Sequence, residues 1–447
     1  MKTRILRAAA LLLSLACLIL PAAAAGEVVT LRGIAEDSVP DANGIGAAAV
    51  WNIENKTFVY EHNVDAPLAP ASLTKLMTAV CAYEVLGGRM DETLTVEYGM
   101  IAAASGNQVG YYVGETVTVR DLFGGLLTRG ANDCAYLLAY AADGGTDAFV
   151  ARMNEKAAAL GMSATVYKNP TGMNAEGAVT TARDSIRIAA AFHAIPTLTA
   201  LSSSVQYEMP ATNKAAARVI YNRNALVSRV SETGYFDARV TGLNAGSTVE
   251  SGYYAASAVG SETLHYVIAV LGAAEAEGRN LAYTYTSKLA DYALSRFGYI
   301  EVIKAAGAVC ELPVTLSSTA DYVALVPATS LTLYLPLSTD VDTELVKTVR
   351  LDHESLEAPV EAGRAVGVYS VSRGGELLGS VDLVTKNALP RSEFLVVLRS
   401  IEDFTTGVFF LSTVAAAVVL TLLYFLIRAL MRRREGRRGA PRHYRSR

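Results

Sequence analysis

Hydrophobic and polar positions divide the 447-residue chain into stretches of different texture. From Gly44, short apolar runs come first. Ala47 to Ile53 reads as a strand, Asn55-Lys56 as a turn, and Thr57 to Tyr60 as the returning strand. The run Leu76, Met77, Ala79, Val80 then predicts a helix. Residues 121–142 form an Ala- and Leu-rich stretch at helical period. Thr146 to Leu160 reads as another helix, stopped by Gly161, and Thr181 to Ala194 as a third, with Pro196 just beyond. Residues 239–243, 252–259 and 264–271 read as strands, and 280–297 as a helix. The expectation for 44–298 is an α+β domain: helices with an antiparallel sheet built from both ends of the segment.

After about residue 300 the texture becomes all-β. Short strand-like runs occur at Glu311 to Leu316, Tyr322 to Val326, Leu331 to Leu335 and Val346 to Leu351. Arg364 to Val371 and Leu377 to Val384 flank Arg373-Gly374-Gly375, a hairpin signal. A small β domain is expected over 299–398.

The two ends differ from both. Lys2, Arg4 and Arg7 precede an apolar stretch from Ala8 to Leu20 and the small residues Pro21 to Gly26, so 1–25 reads as a signal peptide. Cys17 follows Ser14-Leu15-Ala16, a poor lipidation site. Residues 26–43 form a polar leader. Phe404 to Ile427 carries no charge and is long enough to span a bilayer. The Arg-rich stretch 428–447 follows at once, which predicts a cytoplasmic tail with the bulk of the chain outside.

The formal charge of −4 conceals a split. With the basic ends set aside, the remainder carries a net charge of about −15. That argues against nucleic acid as a partner. Cys81, Cys134 and Cys310 are too few and too scattered for a disulfide framework, and no His/Cys cluster suggests a metal. No cofactor is expected.

The chemistry concentrates in Pro70-Ala-Ser-Leu-Thr-Lys-Leu-Met-Thr78. Ser72 and Lys75 are three apart, so a helix puts them on one face. Lys75 can then take the serine's proton and make it a nucleophile. Penicillin-binding proteins and serine β-lactamases use this pair. A plain helix start with one Ser and one Lys would look the same, so the surroundings decide.

Those surroundings include Asn132-Asp133, Asp147-Ala-Phe-Val150 with Met153-Asn154, Asn169-Pro-Thr-Gly172, Thr181-Ala-Arg-Asp184 and Asn222-Arg-Asn224. Ala358-Pro359 and Gly363 through Gly367 follow in the β region. With the Ser72 segment, these make residues of about 44 to 396 resemble the low-molecular-mass penicillin-binding proteins that act as D-alanyl-D-alanine carboxypeptidases, peptidase family S11. The resemblance implies that Ser72 attacks the penultimate D-Ala carbonyl of a peptidoglycan stem peptide, with Lys75 as general base. It implies that the backbone N–H of Ser72, with one from a facing strand, forms the oxyanion hole. It also implies β-lactam antibiotics as covalent ligands of Ser72.

Against the family's pattern, this chain departs twice. The second motif, Ser-x-Asn, falls on Gly130-Ala131-Asn132, so the Asn is present and the hydroxyl is missing. The upstream Ser105-Gly106-Asn107 has the right letters but lies too far from Asp147, and is read as a polar turn before a Tyr111-Tyr112 strand. The third motif, Lys-Thr-Gly, falls on Asn244-Ala245-Gly246. The resemblance would have Asn244 and Gly246 line the substrate groove, and Arg279 contact the substrate carboxylate. Two functions stay open: a serine carboxypeptidase, working or weak, and a pseudoenzyme that binds peptidoglycan or a cell-wall partner. A secreted β-lactamase fits the β domain and anchor poorly.

Overall fold

A computed structural model describes residues 40–230, 234–305 and 307–438. The expected signal peptide and most of the leader lie outside the described residues. The chain forms two compact units, the first running to Gly298 and including Tyr334–Ser338, the second comprising the remainder.

The first unit is built on a five-stranded antiparallel sheet. Strands β1 (Ala47–Asn52) and β2 (Thr57–His62) form the opening hairpin. Strands β3 (Val240–Thr248), β4 (Gly252–Gly260) and β5 (His265–Ala273) come some two hundred residues later. The order is β2-β1-β5-β4-β3, so β1 pairs directly with β5. Both faces of the sheet are covered. Successive residues of a strand point to opposite faces. Accordingly Ala47 and Ala49 enter one core, and Ala48 and Val50 the other. This explains why β1 reads as an unbroken apolar run.

The first core packs helix α1 (Thr74–Leu86) with α2 (Asn132–Asp143), α3 (Thr146–Ala159) and α4 (Ala182–His193). The second packs α5 (Leu281–Arg296) on the opposite face. Helix α4 starts where its sequence says it should: the Thr181 hydroxyl accepts from the Asp184 N–H. Pro196 begins a further short helix, Pro196–Ser203, at its first turn, where a missing N–H costs nothing.

One expectation is corrected. Residues 121–142 are not a single helix. Val119–Gly124 is helical, Gly125–Arg129 widens into a π turn, and Gly130 reverses the chain at φ 70° before α2 begins. Glycine takes this left-handed conformation without a Cβ penalty. The apolar period ran through the break because both pieces bury residues in the same core.

The second unit contains a six-stranded sheet with its own core around Leu312, Leu325, Val366 and Leu383. Its hairpin, Ala365–Arg373 with Glu376–Thr385, turns at Gly374 and Gly375, both at positive φ. At the C-terminal end, Glu393–Thr406 and Val408–Arg438 are separate helices joined at Gly407. The apolar segment long enough to cross a membrane is Val408–Arg432, with mean hydropathy 2.4. The expected start at Phe404 is therefore displaced: Phe404 to Thr406 close the preceding helix.

Candidate active site

Helix α1 is entered through a single 3₁₀ turn, Ala71–Leu73. Ala71 holds φ at 43°, a left-handed conformation unusual for a residue with a side chain. Ala71 and Leu73 are buried, whereas Ser72 between them keeps part of its surface open. The serine thus stands at a helix start, where backbone N–H groups lack intrahelical partners.

Lys75 lies one turn on and is 4% exposed. Its Nζ donates to the Thr171 carbonyl at 2.7 Å. Burial disfavours the ammonium and brings its pKa down to about 8. A lysine poised there is a usable base near neutrality.

The loop Asn169 to Gly172 fixes that carbonyl. Asn169 Oδ1 accepts from the N–H groups of Thr171 and Gly172 and from the Thr171 hydroxyl. Thr78 Oγ1 donates to the Pro170 carbonyl at 2.6 Å. Gly172, at φ 77°, lies so close to the serine turn that a β-carbon there would fall 1.7 Å from the Ala71 carbonyl oxygen. The sequence matched this loop by pattern alone. Its part in holding Lys75 appears only in three dimensions, although Gly172 after an Asx-type turn was a readable sign of close backbone approach.

Strand β3 closes the other side. A β-carbon on Gly246 would lie 2.4 Å from Ser72 Oγ and 2.8 Å from its Cβ. Asn244 sits two residues back, is 6% exposed, and its Oδ1 has no hydrogen-bond partner. Ala245 packs against the apolar cluster on the opposite face.

Asn132 opens α2 and is 4% exposed. Its Nδ2 donates to the Ser105 carbonyl at 2.6 Å and its backbone N–H to the Asn107 carbonyl at 2.7 Å. Its Oδ1 is buried without a partner. Ser105-Gly106-Asn107 is thus not a remote turn, and no strand forms at Tyr111-Tyr112. The structure brings together the surroundings of Ser72, Lys75 and Gly246. Arg279 is exposed in the two-residue strand Arg279–Asn280, and no ion pair engages it among the described residues.

A serine and a buried lysine at a helix start, faced by a glycine on the edge strand of a five-stranded antiparallel sheet, define the penicillin-binding-protein fold. The D-alanyl-D-alanine carboxypeptidase (peptidase S11) family matches residues 38–275, and the C-terminal domain of penicillin-binding protein 5 matches 299–391. The chain belongs to the S11 family of D-alanyl-D-alanine carboxypeptidases. It is 26% identical to the D-alanyl-D-alanine carboxypeptidase DacF of Bacillus subtilis, over 78% of this chain and 86% of the relative. It is 27% identical to DacA of Escherichia coli, over 75% and 81%. The fold resembles the solved structure of DacD from Francisella tularensis, with a TM-score of 0.58 and 21% identity, over 80% of this chain and 96% of that one.

Proposed function

We propose that this protein is a membrane-anchored serine D-Ala-D-Ala carboxypeptidase of low turnover that trims the terminal D-Ala from peptidoglycan stem peptides. Ser72 attacks the penultimate carbonyl while neutral Lys75 takes its proton. The backbone N–H of Ser72 and one from β3 stabilise the oxyanion. D-Ala leaves, and water then releases the acyl group. Penicillin acylates the same serine. Asn132 and Gly246 border the bound peptide, Asn244 lines its far end, and Arg279 meets its carboxylate.

The observation that carries this reading is Lys75: a buried amine brought down to about 8, held one helical turn from a partly open serine. Low turnover follows from Gly130, Asn244 and Ala245. Losing one preorganised transition-state donor costs on the order of 10²–10³ in rate, and effects within one catalytic unit do not simply multiply. Those same residues favour the second reading, a pseudoenzyme that binds peptidoglycan without cleaving it.

In the proposed layout, 1–25 is a signal peptide, 44–298 the catalytic domain and 299–398 the β domain. The apolar helix anchors the protein with its Arg-rich end in the cytoplasm.

Incubation with a fluorescent penicillin, beside Ser72→Ala, tests the nucleophile. Labelling of the wild type alone supports the enzyme; no labelling at high concentration and long times leaves the pseudoenzyme. Release of D-Ala from a stem pentapeptide then measures turnover.

A further inference from the structure

Ser105-Gly106-Asn107 has no part in the reaction described so far, yet it is laced to the second-motif turn. Besides the two bonds that hold Asn132, Arg129 Nε donates to the Gln108 carbonyl at 2.7 Å. The Asp133 carboxylate accepts from the N–H groups of Val109 and Gly110 at 3.1 and 2.8 Å. The Asn107 carboxamide is engaged at both ends. Its Nδ2 donates to the Arg129 carbonyl, and its Oδ1 accepts from Arg223 Nη1 at 3.2 Å.

One further distance gives this amide a place. A β-carbon on Gly130 would stand 3.6 Å from Asn107 Nδ2. The carboxamide therefore borders the space into which any side chain at 130 would project. An amide nitrogen carries two hydrogens, and Arg129 uses one, which leaves a second donor.

We propose that Asn107 is a positioning residue of the acyl-transfer site. Its carboxamide, backed by the Arg223 guanidinium, occupies the polar position that Gly130 leaves without a side chain, and by holding the Arg129 carbonyl it sets the turn that delivers Asn132 to the incoming acyl group. This rests on the reading of Ser72 as the nucleophile. A carboxamide neither gains nor loses a proton near neutrality, so Asn107 orients and hydrogen-bonds but relays nothing. The proton for the leaving amine then comes from Lys75, which received it from Ser72.

The test compares the full chain with Asn107→Ala, and with Asn107→Ala combined with Gly130→Ser. The readouts are fluorescent-penicillin acylation, resolved into an apparent dissociation constant and an acylation rate constant, and the thermal midpoint. The proposal expects Asn107→Ala to lower the acylation rate constant by about ten- to a hundredfold while the midpoint falls by only about 2–4 °C, the share of the lost Arg129 and Arg223 bonds. It expects the added serine to restore part of the rate, which a purely structural brace would not allow. Equal acylation of wild type and Asn107→Ala overturns the proposal and leaves Ser72 standing. Loss of rate with a midpoint fall well beyond that, without rescue, also overturns it by reducing Asn107 to a brace. No acylation of the wild type overturns the Ser72 reading, and this proposal with it.

Discussion

Gly246 faces Ser72 with no room between them for a methyl group: a β-carbon at 246 would stand 2.4 Å from the serine oxygen. Real atoms do not approach so closely, so Gly246→Ala must push β3 or the serine turn aside. Positioning errors of about 1 Å can cost on the order of 100-fold in rate. Gly246→Ala is expected to lose penicillin acylation by at least that factor while keeping its circular-dichroism spectrum. Wild-type labelling of the variant would show that β3 does not close the site.

In the proposed mechanism Lys75 sets the pH dependence. Only its neutral form accepts the serine proton, and its pKa is about 8. Acylation is therefore expected to rise with pH through about 8 and level off above it. A single-turnover pH profile measures this. A flat profile between pH 6 and 9 would remove Lys75 as the base.

The same burial has a stability consequence. The folded pKa of Lys75 lies below its ordinary 10.5, so folding is opposed while the amine is protonated. The penalty is full below about 8, fades as pH rises, and is gone above about 10.5. At 1.36 kcal/mol per pKa unit it amounts to about 3 kcal/mol. Lys75→Met also orphans the Thr171 carbonyl, which offsets about 1 kcal/mol. The variant should melt higher than wild type at pH 7, with the gain vanishing by pH 10.5, and should not be acylated. Thermal melts across pH decide.

Asn244→Lys tests whether the missing third-motif cation limits turnover. Asn244 is nearly buried with an unpartnered oxygen, so its present side chain makes no interaction there that the change would break at that atom. D-Ala release from a pentapeptide is expected to rise about tenfold or more. Gly130→Ser alone should help less, because serine must adopt φ 70° at a cost of about 1–2 kcal/mol. An unchanged rate in Asn244→Lys would assign the weakness elsewhere.

Ending the chain after Arg391 removes both terminal helices. The full-length protein should sediment with membranes through a carbonate wash, and the shortened one should stay in the supernatant. Sedimentation of the shortened protein would discount Val408–Arg432 as the anchor.

The sheet was legible in the sequence because its strands are short, apolar and bounded by turn residues, and the motif around Ser72 announced its own chemistry. What stayed hidden was non-local. Nothing near Thr171 says that its carbonyl receives the Lys75 ammonium, since the two are 96 residues apart. The letters of Ser105-Gly106-Asn107 invited a choice between motif and turn. They form a bend, with Gly106 at φ 70°, whose backbone carbonyls and one carboxamide are aimed at residues 129 to 132. The break at Gly130 was masked by an apolar period that both flanking pieces share. Position 279 shows the opposite limit, where a family match gave a role that geometry alone does not supply.

The pairing of β1 with β5 has a temporal meaning. Ser72 and Lys75 leave the ribosome about 170 residues before Gly246, and the sheet cannot close until β5 has followed. At typical rates of synthesis that interval is roughly ten to thirty seconds. Throughout it Ser72, the proposed nucleophile, has no facing strand and no oxyanion pocket, and Lys75 is still in water with an ordinary pKa. On the proposed reading, Ser72 therefore gains its reactivity toward penicillin only when β1 and β5 meet.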